Sequence, residues 1–87
     1  MTQFDKLLNK ILSGRHDKSI EFNELCGMLR RLGFDERIRG DHHIFYQEGI
    51  AEIINIQPIG KMAKPYQVKQ VRYVITKYKL GDDNGYA

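Results

Sequence analysis

The sequence predicts a small α+β domain, with three antiparallel strands in one sheet and helices packed on one of its faces. Three observations lead there. Apolar residues recur at helical spacing early and late in the chain. Between those segments the period drops to two. Each predicted helix carries a single apolar stripe, and one sheet face can bury all of them at once. The 87 residues leave room for one core, so a single domain over 1–87 is expected.

Phe4, Leu7, Leu8, Ile11 and Leu12 predict a first helix over 2–12, ended by Ser13-Gly14. Residues 14–19 are polar and read as a loop, and 19–22 as extended chain. Asn23 is the expected N-cap of a second helix, with Glu24 in its first turn. Leu25, Met28, Leu29 and Leu32 form its stripe, and Gly33 stands where a terminal glycine is expected. Strand alternation then places Phe34, Glu36 and Ile38 on one side and Asp35, Arg37 and Arg39 on the other. Gly40-Asp41 is a turn signal. Strands are expected over 42–47 and 50–57, joined by a two-residue turn at Glu48-Gly49. A loop over 58–64 leads to Pro65, which suits the first turn of a last helix striped by Val68, Val71, Val74, Ile75 and Tyr78. The polar tail 81–87 is expected to fray.

Charge is unevenly spread. From Ile53 through Gly81 there is no Asp or Glu, but six cations: Lys61, Lys64, Lys69, Arg72, Lys77 and Lys79. The remaining residues hold eight Lys or Arg against eleven Asp or Glu, so the net charge of +3 hides a dipolar molecule. A cationic lobe of this kind suits a polyanion such as nucleic acid. No apolar run approaches the roughly twenty residues of a membrane span. The first residues lack the unbroken apolar centre of a secretion signal. The lone Cys26 has no internal disulfide partner and falls on the apolar side of the second helix, a buried free thiol suited to reducing cytoplasm.

His42 and His43 are adjacent on a strand, so their rings point to opposite faces. With Phe45 as core anchor, His43 lies on the packed side and His42 faces solvent. Two rings so placed do not share a metal, and the chain is read as lacking the clustered Cys, His and carboxylate ligands that a closed site needs. No metal is expected. An exposed imidazole amid cations suits RNA cleavage by a defined route. A base takes the proton of a ribose 2′-hydroxyl, that oxygen attacks the adjacent phosphorus, and an acid protonates the leaving 5′-oxygen. Histidine serves either step because its unperturbed pKa is about 6.5. Lysine and arginine stabilise the charge on phosphorus-bound oxygens. The loop entering the last helix offers a phosphate seat at the helix N-terminus. Lys69 and Arg72, with Gln67 and Gln70 beside them, are further candidates to hold sugar or phosphate.

The segments Leu32-Gly33-Phe34, Arg37-Ile38-Arg39-Gly40, His42-His43-Ile44-Phe45 and Ile54-Asn55-Ile56-Gln57-Pro58 with Gly60-Lys61 form a recognisable series. Lys64-Pro65-Tyr66-Gln67-Val68-Lys69-Gln70-Val71 continues it. In this order and spacing, over about 22–80, the chain resembles the HicA family, the RNA-cleaving half of HicA–HicB toxin–antitoxin systems. The resemblance implies a double-stranded-RNA-binding-domain-like core over 20–80, with 1–19 as an N-terminal helical extension. It implies a cytoplasmic, metal-independent endoribonuclease acting on mRNA without a cofactor, and a HicB-like antitoxin as partner. It implies His42 as the catalytic histidine. Arg37, Arg39, Lys61, Lys64, Lys69 and Arg72 are the residues expected to bind RNA. The family commonly has Ser before this histidine where this chain has Asp41, which puts rate and optimum pH in question. A non-catalytic RNA-binding module, or a protein whose basic face docks an acidic partner, is also compatible with the residues.

Overall fold

The computed structural model describes residues 2–81, so the predicted fraying of the tail beyond Gly81 lies outside the described residues. Helix α1 spans Gln3–Ser13. Thr2 Oγ1 accepts from the Asp5 N–H at 3.1 Å and the Asp5 carboxylate accepts from the Thr2 N–H at 3.2 Å, a reciprocal cap. Gly14, at φ 74°, ends the helix in a left-handed turn. A short 3-10 turn follows at Asp17–Ser19, inside the predicted loop.

Helix α2 spans Phe22–Arg31, so its cap is Glu21 and not the expected Asn23. Glu21 makes no side-chain capping bond. A distant segment sets the start instead. The Phe22 N–H donates to the Lys61 carbonyl and the Ala63 N–H to the Ile20 carbonyl, each at 2.9 Å, around a Glu21–Met62 bridge. Local capping preference yields here to tertiary hydrogen bonding.

Strands β1 (Asp35–Arg39), β2 (His42–Gln47) and β3 (Ile50–Ile56) form an antiparallel sheet in the order β1-β2-β3. The turns at Gly40 and Gly49 sit where the sequence predicts them, with φ of 62° and 90° that glycine adopts without strain. Between Phe45 and Gln47 the pairing with β3 shifts, so β3 carries extra residues opposite Tyr46. The predicted loop over 58–64 contains a second, two-stranded sheet: β4 (Pro58–Ile59) and β5 (Met62–Ala63), antiparallel. This hairpin braces the start of α2. Helix α3 spans Pro65–Tyr78 with proline in its first turn, as predicted.

One sheet face is packed. Phe45, Ile54 and Ile56 from it join Leu25 and Leu29 of α2, Ile11 of α1 and Val68, Val71 and Val74 of α3 in one core. All of these are fully enclosed. Burying each such side chain stabilises the fold by about 1.5–3 kcal/mol before the entropy of ordering is subtracted. The first helix is therefore part of the same core as the 20–80 segment, and is not an appendage lying on it. The α+β class, the three strands, their order and the one-sided helix layer agree with the sequence expectation.

Candidate nucleic-acid interface

The second sheet face is open. Strand alternation presents Asp35, Arg37, Arg39, His42, Ile44, Tyr46 and Asn55 on it, because their cross-strand pairs alternate with those of the core residues, and Ile53, two residues before Asn55, is exposed. His42 pairs with Arg39 across the β1–β2 hairpin, and Ile44 with Arg37 on one side and Asn55 on the other. His42 is exposed, as the alternation argument requires. Its Nδ1 lies 3.1 Å from Asn55 Oδ1. With that oxygen facing the ring, Nδ1–H donates and Nε2 keeps its lone pair toward solvent. The contact orients the ring, and a proton on Nδ1 is the one that Asn55 Oδ1 accepts. Asn55 is absent from the sequence-predicted site, although counting back across the Glu48-Gly49 turn places it near His42.

Asp41 sits beside the ring. Its carboxylate accepts from Gln57 Nε2 at 2.9 Å, and this bond is the main reason its pKa falls below the ordinary carboxylate range. His42 and Lys64 add smaller stabilising fields, which puts Lys64 near this corner as well. Lys61 occupies the β4–β5 turn and is exposed. Among the described residues Arg37, Arg39, Lys61, Lys64 and Lys69 form no ion pair. Ile53 and Tyr46 leave apolar surface exposed on the same face.

The other predicted cations separate from this group. Arg72 turns inward: its guanidinium donates to Asp17 Oδ1 at 2.9 Å, Asp17 Oδ2 at 3.2 Å and the Ile11 carbonyl at 3.0 Å. Arg72, expected to hold RNA, is thus engaged within the fold and set apart from the cations of the open face, its donors serving the packing of α3 against α1 and the 3-10 turn. Lys69 keeps an exposed position but adds its field to Asp17, on the helical side of the molecule. Lys77 pairs with Glu52 at 2.7 Å. The cationic lobe read from sequence is thus partly neutralised by carboxylates far away in the chain. Gln67 is corrected as a sugar or phosphate ligand. It is buried, and its amide, oriented to do both, donates to the Gln57 carbonyl at 3.1 Å and accepts from the Gln57 N–H at 3.2 Å. The phosphate seat is narrower than expected, since Pro65 has no N–H and the Gln67 N–H is held by the Lys64 carbonyl at 2.9 Å.

On the packed side, His43 Nδ1 lies 2.7 Å from Glu36 Oε2, and its ring stands edge-on to Phe22 with centroids 4.9 Å apart. Arg30 holds the same carboxylate through two bonds of 2.7 and 3.1 Å. Arg30, foremost, and His43 keep the Glu36 pKa below its usual range against the opposing effect of burial. Cys26 is buried close by, and desolvation first, then Glu36, pushes its thiol up to about 11. One donor atom from each of Cys26, Glu36 and His43 falls within 4.8 Å of the others. This corrects the reading that the chain lacks a Cys, His and carboxylate cluster. The three residues are 10 and 7 positions apart on α2, β1 and β2, and only tertiary packing unites them.

No protein-family model, curated protein or solved structure matches this chain in comparisons with known proteins.

Proposed function

We propose that the chain is the toxin of a toxin–antitoxin pair: a metal-independent endoribonuclease that cleaves mRNA, with His42 moving the proton. The observation that carries this reading is an exposed imidazole aligned by Asn55 and flanked across the hairpin by Arg39. Nε2 takes the 2′-hydroxyl proton, and the same ring, once protonated, is suited to return one to the leaving oxygen. Arg37 and Arg39, with Lys61 and Lys64 at the neighbouring corner, hold the phosphates. The nucleophile belongs to the substrate, so the chemistry needs no metal-bound water. Ile44, Tyr46 and Ile53 beside these cations support a protein partner, a HicB-like antitoxin, that meets the face with an acidic rim and an apolar centre.

The test is cleavage of a defined RNA by the purified chain in the presence of chelator. Fragments ending in a cyclic phosphate are expected, and His42→Ala binds the RNA without cutting it. Intact RNA after incubation with the wild-type chain, with or without divalent ions, overturns the nuclease reading. Asp41 favours one second reading, a non-catalytic RNA-binding module on the same fold, because its carboxylate lies next to the proposed phosphate seat. That reading requires equal RNA binding by wild type and His42→Ala and cleavage by neither.

A further inference from the structure

We propose that Cys26, Glu36 and His43 bind one thiophilic divalent cation of the zinc class, at a three-ligand site between α2 and the sheet. The proposal is independent of the RNA reading, because these side chains lie on the packed side and His42 on the open side.

Geometry is the first argument. A thiolate, an imidazole nitrogen and a carboxylate oxygen form a donor set that tetrahedral zinc accepts with bonds of about 2.0–2.3 Å, which sets donors about 3.5 Å apart. The donors here lie within 4.8 Å of one another, so closing them onto an ion takes shifts of about an ångström. The His43–Glu36 contact of 2.7 Å opens as the ion enters between the two groups. The fourth position falls to water, since the His43 and Glu36 side chains remain 20% and 14% exposed.

Charge is the second. A divalent ion takes the place of the Cys26 thiol proton, which leaves on binding, and the thiolate so formed and the Glu36 carboxylate together offset the ion's charge where it is enclosed. Arg30 already grips the Glu36 carboxylate from outside with two bonds. Such an outer partner is what orients a ligating carboxylate in metal sites. The third argument is convergence. α2, β1 and β2 each deliver one donor to a single point, so an ion there ties the helix to both strands of the hairpin.

The experiment titrates cobalt(II), and zinc in competition, into the chelator-treated full-length chain under reducing conditions. One equivalent of cobalt is expected to produce a thiolate-to-cobalt charge-transfer band, which zinc abolishes while raising the melting temperature. Cys26→Ser loses the band. Loss of a direct ligand weakens binding by more than the roughly 10–100-fold typical of a residue that only orients a ligand. Arg30→Gln weakens binding within that 10–100-fold range and keeps the band. His16→Ala, at an exposed histidine, changes neither. Circular dichroism checks that each variant is folded. A wild-type chain that develops no charge-transfer band under saturating cobalt overturns the proposal without reference to any variant. So does zinc affinity that Cys26→Ser leaves unchanged.

Discussion

Arg72 of α3 and Asp17 of the 3-10 turn meet through two hydrogen bonds of 2.9 and 3.2 Å, and the same guanidinium holds the Ile11 carbonyl at the end of α1. One side chain thereby ties together three segments that are remote in sequence. Arg72→Ala should destabilise the fold by about 2 kcal/mol, less than the roughly 3–5 kcal/mol of a deeply buried pair because this one lies just beneath the surface. Denaturant unfolding measures it. RNA affinity of the folded variant should match wild type, and a large selective loss of affinity would return Arg72 to the binding face.

Acid stability should depend on Glu52. Lys77 foremost, and the Tyr78 hydroxyl after it, hold its carboxyl at about 2 against an ordinary 4.5. A depressed folded-state value contributes stability that is complete above the unfolded value and disappears as pH falls through the folded one. The melting temperature of wild type should therefore decline more steeply between about pH 4.5 and pH 2 than that of Glu52→Gln. Parallel curves would show that the pairing contributes nothing in solution.

The two histidines should separate cleanly on mutation. His42→Ala should leave stability within about 0.5 kcal/mol of wild type, as expected of an exposed residue. RNA cleavage in that variant should fall by about 10²–10⁴-fold, the usual contribution of positioned proton transfer. His43→Ala should cost about 1–3 kcal/mol, because it removes a ring packed on Phe22 and bonded to Glu36. Thermal melts and single-turnover cleavage on both variants provide the measurement. Cleavage abolished in a fully stable His43→Ala would reverse the assignment of faces.

Binding of RNA should weaken linearly as the logarithm of salt rises. Replacing Arg37, Arg39, Lys61 or Lys64 by Gln should lower that slope by about 0.7 for each single-stranded phosphate no longer neutralised. Lys77→Gln should leave it unchanged, since Lys77 is spent on Glu52. Filter-binding titrations at several ionic strengths supply the slopes.

Much of this was legible in the chain. The period change after Gly33, the turn at Glu48-Gly49 and the proline opening α3 are local signals, and the structure follows each of them. The facing of His42 and His43 required only strand alternation. What the sequence concealed depends on pairs far apart. Arg72 reads as a solvated cation until Asp17 is brought beside it. Gln67 reads as polar surface until Gln57 meets it. The β4–β5 hairpin is too short for any periodicity to announce it, and the first residue of α2 is decided by that hairpin. Cys26, Glu36 and His43 share no linear spacing that marks them as neighbours.

The bonds from Phe22 to Lys61 and from Ala63 to Ile20 carry one more consequence, for synthesis on the ribosome. The amino end of α2 emerges long before the residues that hold it. Until position 63 has cleared the exit tunnel, that first turn has only transient partners, and its apolar stripe stays available to chaperones. A nascent chain arrested with position 63 still inside the tunnel should show fast amide exchange at the start of α2, and the released chain should show it slowed.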